Sequence, residues 1–185
     1  MFSIINETDQ EIELGGKTYK VNDSFDNVIR IFDIVQSNPN ILGINLSIIA
    51  FLGTMPEITQ EKAIKLYQKL VKIYVNDGEK PKVIKDLQGN IMPVKAEEWY
   101  SFKYDAWAIY SGFMQAYGID LKKECGKLRW CDFKALLNGL PSNTRFKEML
   151  EIRMRKYPEG KGSSKERVAL REAKELVSYP GRDFT

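Results

Sequence analysis

Apolar and charged residues alternate along 11–21, near the start of the chain. This is the period of a β-strand with one buried face. The alternation is interrupted by Gly15 and Gly16, which suit a two-residue hairpin turn. Counting back from that turn sets Ile12 opposite Tyr19, so we expect a β-hairpin whose apolar face docks on the rest of the protein. A third strand is predicted just before the hairpin, at Phe2 and Ile4.

After the hairpin the apolar positions recur at spacings of three and four, which predicts helices. The predicted helices cover approximately residues 24–36, 41–52, 60–75, 102–117, 130–138, 144–156 and 163–177. The second of them is apolar on nearly every side, so we expect it to be central. The helices before and after it each have one apolar stripe, which we expect to face inward. This stripe includes Phe32 in the first helix and Ile73 in the third.

Two of the later helices have further features. The helix 102–117 has one apolar stripe through Ile109 and Phe113 and another through Trp107 and Met114, which predicts burial on two sides. In the last helix Ser163 and Glu166 have the spacing of a capping box. Its apolar stripe is thin, consisting of Ala169, Ala173, Leu176 and Val177.

The sequence therefore predicts a mainly α fold: a compact helical domain of six to seven helices with a small N-terminal β-hairpin. We expect one folded domain overall. Residues 1–75 hold the hairpin and the first helices, 76–100 form a loop or linker where the apolar period fails, and 101–157 hold the next helices. Residues 158–185 form a charged C-terminal helix and tail.

Composition narrows the classes of function. The chain has 185 residues, 28 basic and 25 acidic, and a formal net charge of +3. A balance this even makes nucleic acid an improbable partner. No stretch approaches the ~20 apolar residues of a membrane span. We also expect no signal peptide, because no basic residue precedes the short apolar run within residues 1–10. The two cysteines, Cys125 and Cys131, fit a reducing cytoplasm better than a disulfide framework.

Candidate catalytic chemistry is sparse, because the chain contains no histidine. This excludes Ser-His-Asp and Cys-His catalysis and every zinc site that needs imidazole. The run Gly160-Lys161-Gly162 before a helix lacks the spacing of a phosphate-binding loop. Acidic residues that could hold a metal or transfer protons are explained by loops and helix starts: Glu97, Glu98, Asp105, Asp120 and Asp132. We expect no enzyme activity, no cofactor and no metal.

One block of sequence carries a resemblance to a known family. D-A-W-A-I-Y at 105–110, Phe113, Y-G-I-D-L at 117–121 and L-R-W-C-D-F-K-A-L-L-N-G-L-P at 128–141 resemble the signature of the gp-fifteen family of bacteriophages that infect Gram-positive hosts. Arg153 stands where the family has an arginine. Arg129 replaces the usual histidine and Cys131 a second tryptophan, which indicates that neither position carries obligatory chemistry. The resemblance is specific over 102–156 and extends to helix order alone over 24–75.

The resemblance implies a tail assembly chaperone that binds the tape-measure protein in the host cytoplasm. Other tail proteins and a second copy of the chain are further candidate partners. Such a protein is expected to be absent from the mature virion. Two alternatives remain open: a structural tail or connector component that stays in the virion, and a nucleic-acid-binding accessory factor. No membrane partner is expected.

A chaperone for long helices should offer an apolar groove. We place it beside the helix 102–117, with 76–100 as a lid and the last helix as a docking arm. Truncation at Lys156 is then expected to leave the core folded. The candidate partner-binding residues are Trp99, Tyr100, Phe102, Tyr104, Trp107, Arg167 and Arg171.

Overall fold

The structure is a computed structural model, and it describes residues 10–76, 84–85, 91–92, 99–160 and 163–184. The chain forms two compact units. The first consists of Met1–Val94 with Lys122–Leu136, and the second of Lys95–Leu121 with Leu137–Thr185. The described part of the chain contains seven α-helices and two small antiparallel strand pairs. The prediction of a mainly α fold with an N-terminal hairpin is therefore confirmed.

The first unit begins with the predicted hairpin. Strands β1 (Glu11–Leu14) and β2 (Lys17–Lys20) pair antiparallel, with Ile12 opposite Tyr19 as expected. Both glycines of the turn have positive φ angles. Ile12 is buried, so the apolar face of the hairpin packs into the unit. The third strand predicted at Phe2 and Ile4 lies outside the described residues.

Three helices follow in the first unit: α1 (Phe25–Ser37), α2 (Ile41–Leu52) and α3 (Gln60–Leu70). The expectation that α2 is central was wrong. Its inner side, which includes Ile48 and Phe51, is fully buried, but Leu42 on the opposite side is 52% exposed. Phe32 of α1, predicted to face inward, is also exposed. The two neighbours of α2, α1 and α3, cover only one side of its uniformly apolar surface.

A π-helical turn, Val71–Val75, continues α3. The predicted helix had an uninterrupted α period with Ile73 inward, but Ile73 is only half-buried. A π turn closes i→i+5 bonds, and the amide of Asn76 donates to the carbonyl of Val71 at 2.9 Å. The wider turn brings Val75, five residues after Leu70, back to the buried face.

Part of the predicted loop 76–100 is regular. Strands β3 (Ile84–Lys85) and β4 (Ile91–Met92) pair antiparallel, with Ile84 opposite Met92. The loss of helical periodicity over 76–100 predicted a loop and did not indicate this short strand pair. The other residues from 77 to 98 lie outside the described part of the chain.

The remaining helices are α4 (Ala106–Tyr117), α5 (Trp130–Asn138), α6 (Arg145–Met154) and α7 (Ser164–Val177). Helix α5 has the predicted bounds, and Gly118 ends α4 in the left-handed conformation. Helix α4 begins four residues later than predicted, because Phe102 and its neighbours form turns before Asp105. The expected burial of α4 on two sides was wrong: Ile109 and Phe113 are buried, whereas Trp107 and Met114 are exposed.

Helix α7 differs from its predicted form in two ways. The hydroxyl of Ser163 donates to the carbonyl of Gly160 at 2.9 Å instead of capping the helix, so the capping-box prediction was wrong. The buried residues of the helix are Leu170, Lys174 and Val177, while Leu176 is 86% exposed. The stripe is shifted because a buried lysine, which the apolar pattern leaves out, occupies its centre. Of the described helices, none is both long enough and apolar enough to cross a bilayer.

Candidate functional site

The signature tryptophan of the resemblance lies in the core of the first unit. Trp130 is buried, and its indole Nε1 donates to the carbonyl of Val75 at 3.0 Å. The amine of Lys134, one turn further along α5, donates to the same carbonyl at 2.7 Å. The ring of Phe133 stacks on Trp130 at 5.6 Å and on Phe25 at 4.9 Å. This part of the signature therefore holds α5 against the π turn and α1.

Arg129 has a structural partner that the sequence did not indicate. Its Nε and Nη2 donate to Oδ2 of the buried Asp23 at 3.0 and 2.7 Å, and Gln10 donates to Oδ1 at 3.1 Å. Burial lowers the pKa of Arg129, but the hydrogen bonds and the charge of Asp23 raise it by more, so the net shift is upward. The amide of Trp130 also donates to the carbonyl of Asp23 at 2.8 Å. The segment before α5 is thereby fixed to the start of α1.

The second unit is organised around a buried ion pair. Asp105 and Arg153 are 2% and 1% exposed, and two hydrogen bonds of 2.7 and 2.8 Å join the carboxylate to Nη1 and Nη2 of the guanidinium. Nε and Nη2 also donate to the carbonyl of Val177 at 2.8 and 2.6 Å, and Nη1 donates to that of Trp99 at 2.9 Å. All five donor positions of the guanidinium are used. Each partner had been noted in the sequence, but nothing there connected them.

The C-terminal segment packs around the same arginine. The rings of Tyr179 and Phe184 lie 5.1 and 5.0 Å from the guanidinium carbon of Arg153. The amine of Lys174 donates to the carbonyl of Phe184 at 2.9 Å and lies 4.8 Å from the centre of the Tyr157 ring. Helix α7 and the segment after it are therefore part of the packed second unit.

Three of the predicted partner-binding aromatics pack within the second unit. Trp99 stacks on Phe184 at 6.0 Å. Tyr100 meets Phe102 and Phe146 edge-on at 5.3 and 5.4 Å. Trp99, Tyr100 and Phe102 are all partly buried, so they contribute first to the packing of the unit.

Two other predicted aromatics lie at the surface. Trp107 is 56% exposed and Tyr104 is 40% exposed. Tyr104 stacks on Tyr179 at 5.3 Å, which holds its ring in place. Met114, 42% exposed, lies seven residues after Trp107 on α4. We call Tyr104, Trp107 and Met114 the aromatic surface.

The two predicted basic residues, Arg167 and Arg171, are exposed on α7. Arg167 lies 6.0 Å from the centre of the Tyr157 ring, and Arg171 forms an ion pair with Glu175 at 3.4 Å. Together with Val168 and Tyr157 the two arginines line one shallow concavity. Their placement beside an apolar residue suits a protein surface, but both are largely solvated.

The acidic residues noted in the sequence do not converge. Within the described ranges no three Cys, Asp or Glu side chains come together in a way that could hold a metal ion. Asp120 accepts a hydrogen bond from Tyr110 at 3.2 Å. Burial raises the pKa of Tyr110, and the hydrogen bond and the charge of Asp120 raise it further. Glu97 and Glu98 lie outside the described residues. Cys125 and Cys131 are not joined in a disulfide.

These features define a mainly helical protein whose signature residues pack inside each of two units and whose surface exposes large apolar side chains. The family model described as bacteriophage Gp15 protein matches residues 5–179, so the chain belongs to this family and is a phage protein. The match is wider than the resemblance in the sequence, because it includes the hairpin and all of α7. Searches of curated proteins and of solved structures found no match.

Proposed function

We propose that this protein is a phage tail assembly chaperone that binds the tape-measure protein while the tail is built. It acts by binding and without catalysis, in the host cytoplasm, and leaves before the virion matures. Membership of the Gp15 family supports a phage role in general. The exposed aromatic surface of the second unit supports a role in protein binding.

The observation that carries the proposal is the exposure of Trp107. The other two tryptophans are packed, Trp130 on Phe133 and Trp99 on Phe184, whereas Trp107 is 56% exposed on α4. An exposed tryptophan leaves a large apolar area in water, and tryptophan is enriched among residues that dominate binding energy. Its exposure is therefore best explained by a partner that covers it.

The spacing of the aromatic surface suits a helix. Trp107 and Met114 are seven residues apart, which places them on the same face of α4 about 10.5 Å from each other. Anchors separated by two turns match the apolar repeat of an amphipathic helix bound lengthwise. Methionine adapts to partners of varied shape, which fits a long helical client with no fixed local sequence.

The interior of the second unit supports this surface. Tyr104 is held by its stack on Tyr179, and the ring of Tyr179 lies against the guanidinium of Arg153. A ring that is already ordered loses less entropy when it binds. The buried Asp105–Arg153 pair thus contributes to function by fixing the segment that carries Tyr104.

The test is co-expression with the tape-measure protein of the same phage. We expect a soluble complex that purifies together, with the tape-measure protein aggregating when expressed alone. The double variant Trp107→Ser, Met114→Ser should lose the complex. The control is Leu176→Ser, which removes an apolar side chain that is 86% exposed on α7 and should bind normally.

Two results would count against the proposal. If the tape-measure protein has the same solubility with and without this chain, the chaperone role is wrong. If the protein is found in stoichiometric amounts in purified virions, the structural alternative replaces it.

A further inference from the structure

Helix α3 presents a row of lysines to solvent. Lys62, Lys65 and Lys69 follow one another at spacings of three and four, and Lys72 continues the row in the π turn. All four are exposed, and no ion pair joins any of them to a carboxylate among the described residues. Like charges at this spacing oppose helix formation. We call these four residues the lysine row.

Helix α2, which packs against α3, presents an apolar row instead. Leu42, Leu46 and Ile49 have the spacing i, i+4 and i+7, and each is 36% exposed or more. Helix α2 contains no charged residue. The row extends about 10.5 Å, the length of two helical turns. The packed α2–α3 pair therefore exposes both positive charge, on α3, and apolar area, on α2.

From this combination we infer that the α2–α3 pair is a second docking surface, and that its occupant is an acidic amphipathic helix of a partner protein. The apolar side of such a helix would cover the α2 row, and its acidic residues would neutralise the lysine row. Charge complementarity favours a partner with negative charge, and an apolar row two turns long favours a partner that is a helix. The inference concerns the first unit and does not depend on the tape-measure proposal.

Two other occupants fit less well. If the α2–α3 pairs of two copies packed against each other, the two lysine rows would face each other and repel. Three partly exposed aliphatic side chains also cover far less than the ~800 Å² that each partner of a stable dimer buries. A nucleic acid would use the lysines, but it would gain nothing from leucine and isoleucine, because single strands stack on aromatic rings.

The experiment measures the binding of a fluorescent synthetic helical peptide to the full chain by anisotropy, at physiological ionic strength. The peptide has leucines at i, i+4 and i+7 with glutamates on both flanks. A permuted peptide of identical composition has the leucine stripe scattered. We expect the patterned peptide to bind and the permuted peptide to bind at least about tenfold more weakly, since ordered apolar contact is lost.

Paired variants assign the binding to the two rows. Lys65→Glu with Lys69→Glu should weaken binding roughly tenfold or more, because exposed ion pairs become repulsions. Lys156→Glu with Lys165→Glu makes the same charge change at exposed positions of the second unit and should leave binding unchanged. Leu42→Gln with Ile49→Gln should also abolish binding, whereas Leu176→Gln should not.

Each remaining outcome overturns the inference. Equal binding of the two peptides would mean charge attraction without a helix-shaped site. Tighter binding of a labelled DNA duplex than of the patterned peptide would assign the lysine row to nucleic acid. Absence of peptide binding to the wild-type chain would leave the α2–α3 pair without the proposed role. The substitutions are at exposed positions, and circular dichroism would check that the variants are folded.

Discussion

Asp105→Ala removes both oxygen atoms that hold the inner end of the Arg153 guanidinium. Two hydrogen bonds are lost, of 2.7 and 2.8 Å, while the bonds to the carbonyls of Trp99 and Val177 remain. The arginine is 1% exposed and its charge stays buried. Breaking a buried pair by removing one partner costs about 3–5 kcal/mol. Because two carbonyls still accept hydrogen bonds from the guanidinium, we expect the lower end, ~3 kcal/mol.

The assay is urea unfolding monitored by hydrogen exchange of peptides from α6 and α7. A loss of ~3 kcal/mol at an m-value of ~1–3 kcal/mol/M lowers the midpoint by at least about 1 M. The matched control is Glu148→Ala, which removes the carboxylate of the exposed Arg145 pair. An exposed pair contributes ~0–1 kcal/mol, so this control should barely move the midpoint.

The reasoning would be refuted if Asp105→Ala and Glu148→Ala had the same small effect. A further comparison separates charge from hydrogen bonding. Arg153→Lys keeps the charge, but one ammonium cannot reproduce the fork that reaches Asp105, Trp99 and Val177 together. It should therefore be destabilising as well, by at least ~1 kcal/mol for the acceptors left unsatisfied.

Three further predictions follow from single features of the two units. Truncation after Lys156 removes the carbonyl of Val177, which accepts hydrogen bonds from the buried Arg153, and the ring of Phe184, which covers it. The second unit should therefore be cleaved by a protease faster than in the full chain. A truncated chain that resists the protease would support the docking-arm hypothesis instead. Among the described residues, Oδ1 of Asn45 is buried without a hydrogen-bond partner. Asn45→Leu should therefore raise the free energy of unfolding, measured in urea, by about 1 kcal/mol. A variant less stable than the wild-type chain would contradict this reasoning. Gly118→Ala forces a side chain into φ +67° and should lower the free energy of unfolding by ~1 kcal/mol, measured in urea; an unchanged stability would contradict the strain argument.

Local sequence determined much of the fold. The hairpin register followed from two adjacent glycines, because turn length fixes strand pairing. The bounds of α5 followed from its apolar spacing and from the Gly139 and Pro141 that end it. Such features depend on neighbours in the sequence, and these are visible before any tertiary contact is known.

The errors in predicted burial share one cause, which is that burial depends on what a helix packs against. Helix α2 was predicted to be central because it is apolar on nearly all sides, yet Leu42 is exposed. Helix α7 was assigned its stripe from apolar residues, yet Lys174 is buried because it donates to Phe184. The π turn at Val71–Val75 was also invisible, since the residues of an α and a π turn do not differ in type.

For the candidate site too, the sequence showed which types of residue are present, and the structure was needed to show their contacts. The aromatic density of 99–117 was evident, but its separation into interior rings and an exposed Trp107 needed the partners of each ring. The pairing of Asp105 with Arg153 spans 48 positions, and a lone sequence offers no means of linking two such residues.

The signature of the family can now be connected with the proposed role. Its most recognisable residues, Trp130 and Arg153, are buried and use their polar atoms on backbone carbonyls or on a carboxylate. They therefore specify how each unit packs and leave the choice of partner to the surface. The departures at Arg129 and Cys131 do not alter this argument, because Arg129 has its own partner in Asp23. If the proposed function is right, substitutions that abolish partner binding in a stable protein will fall on Trp107 and Met114, whereas substitutions in the signature will act first on stability.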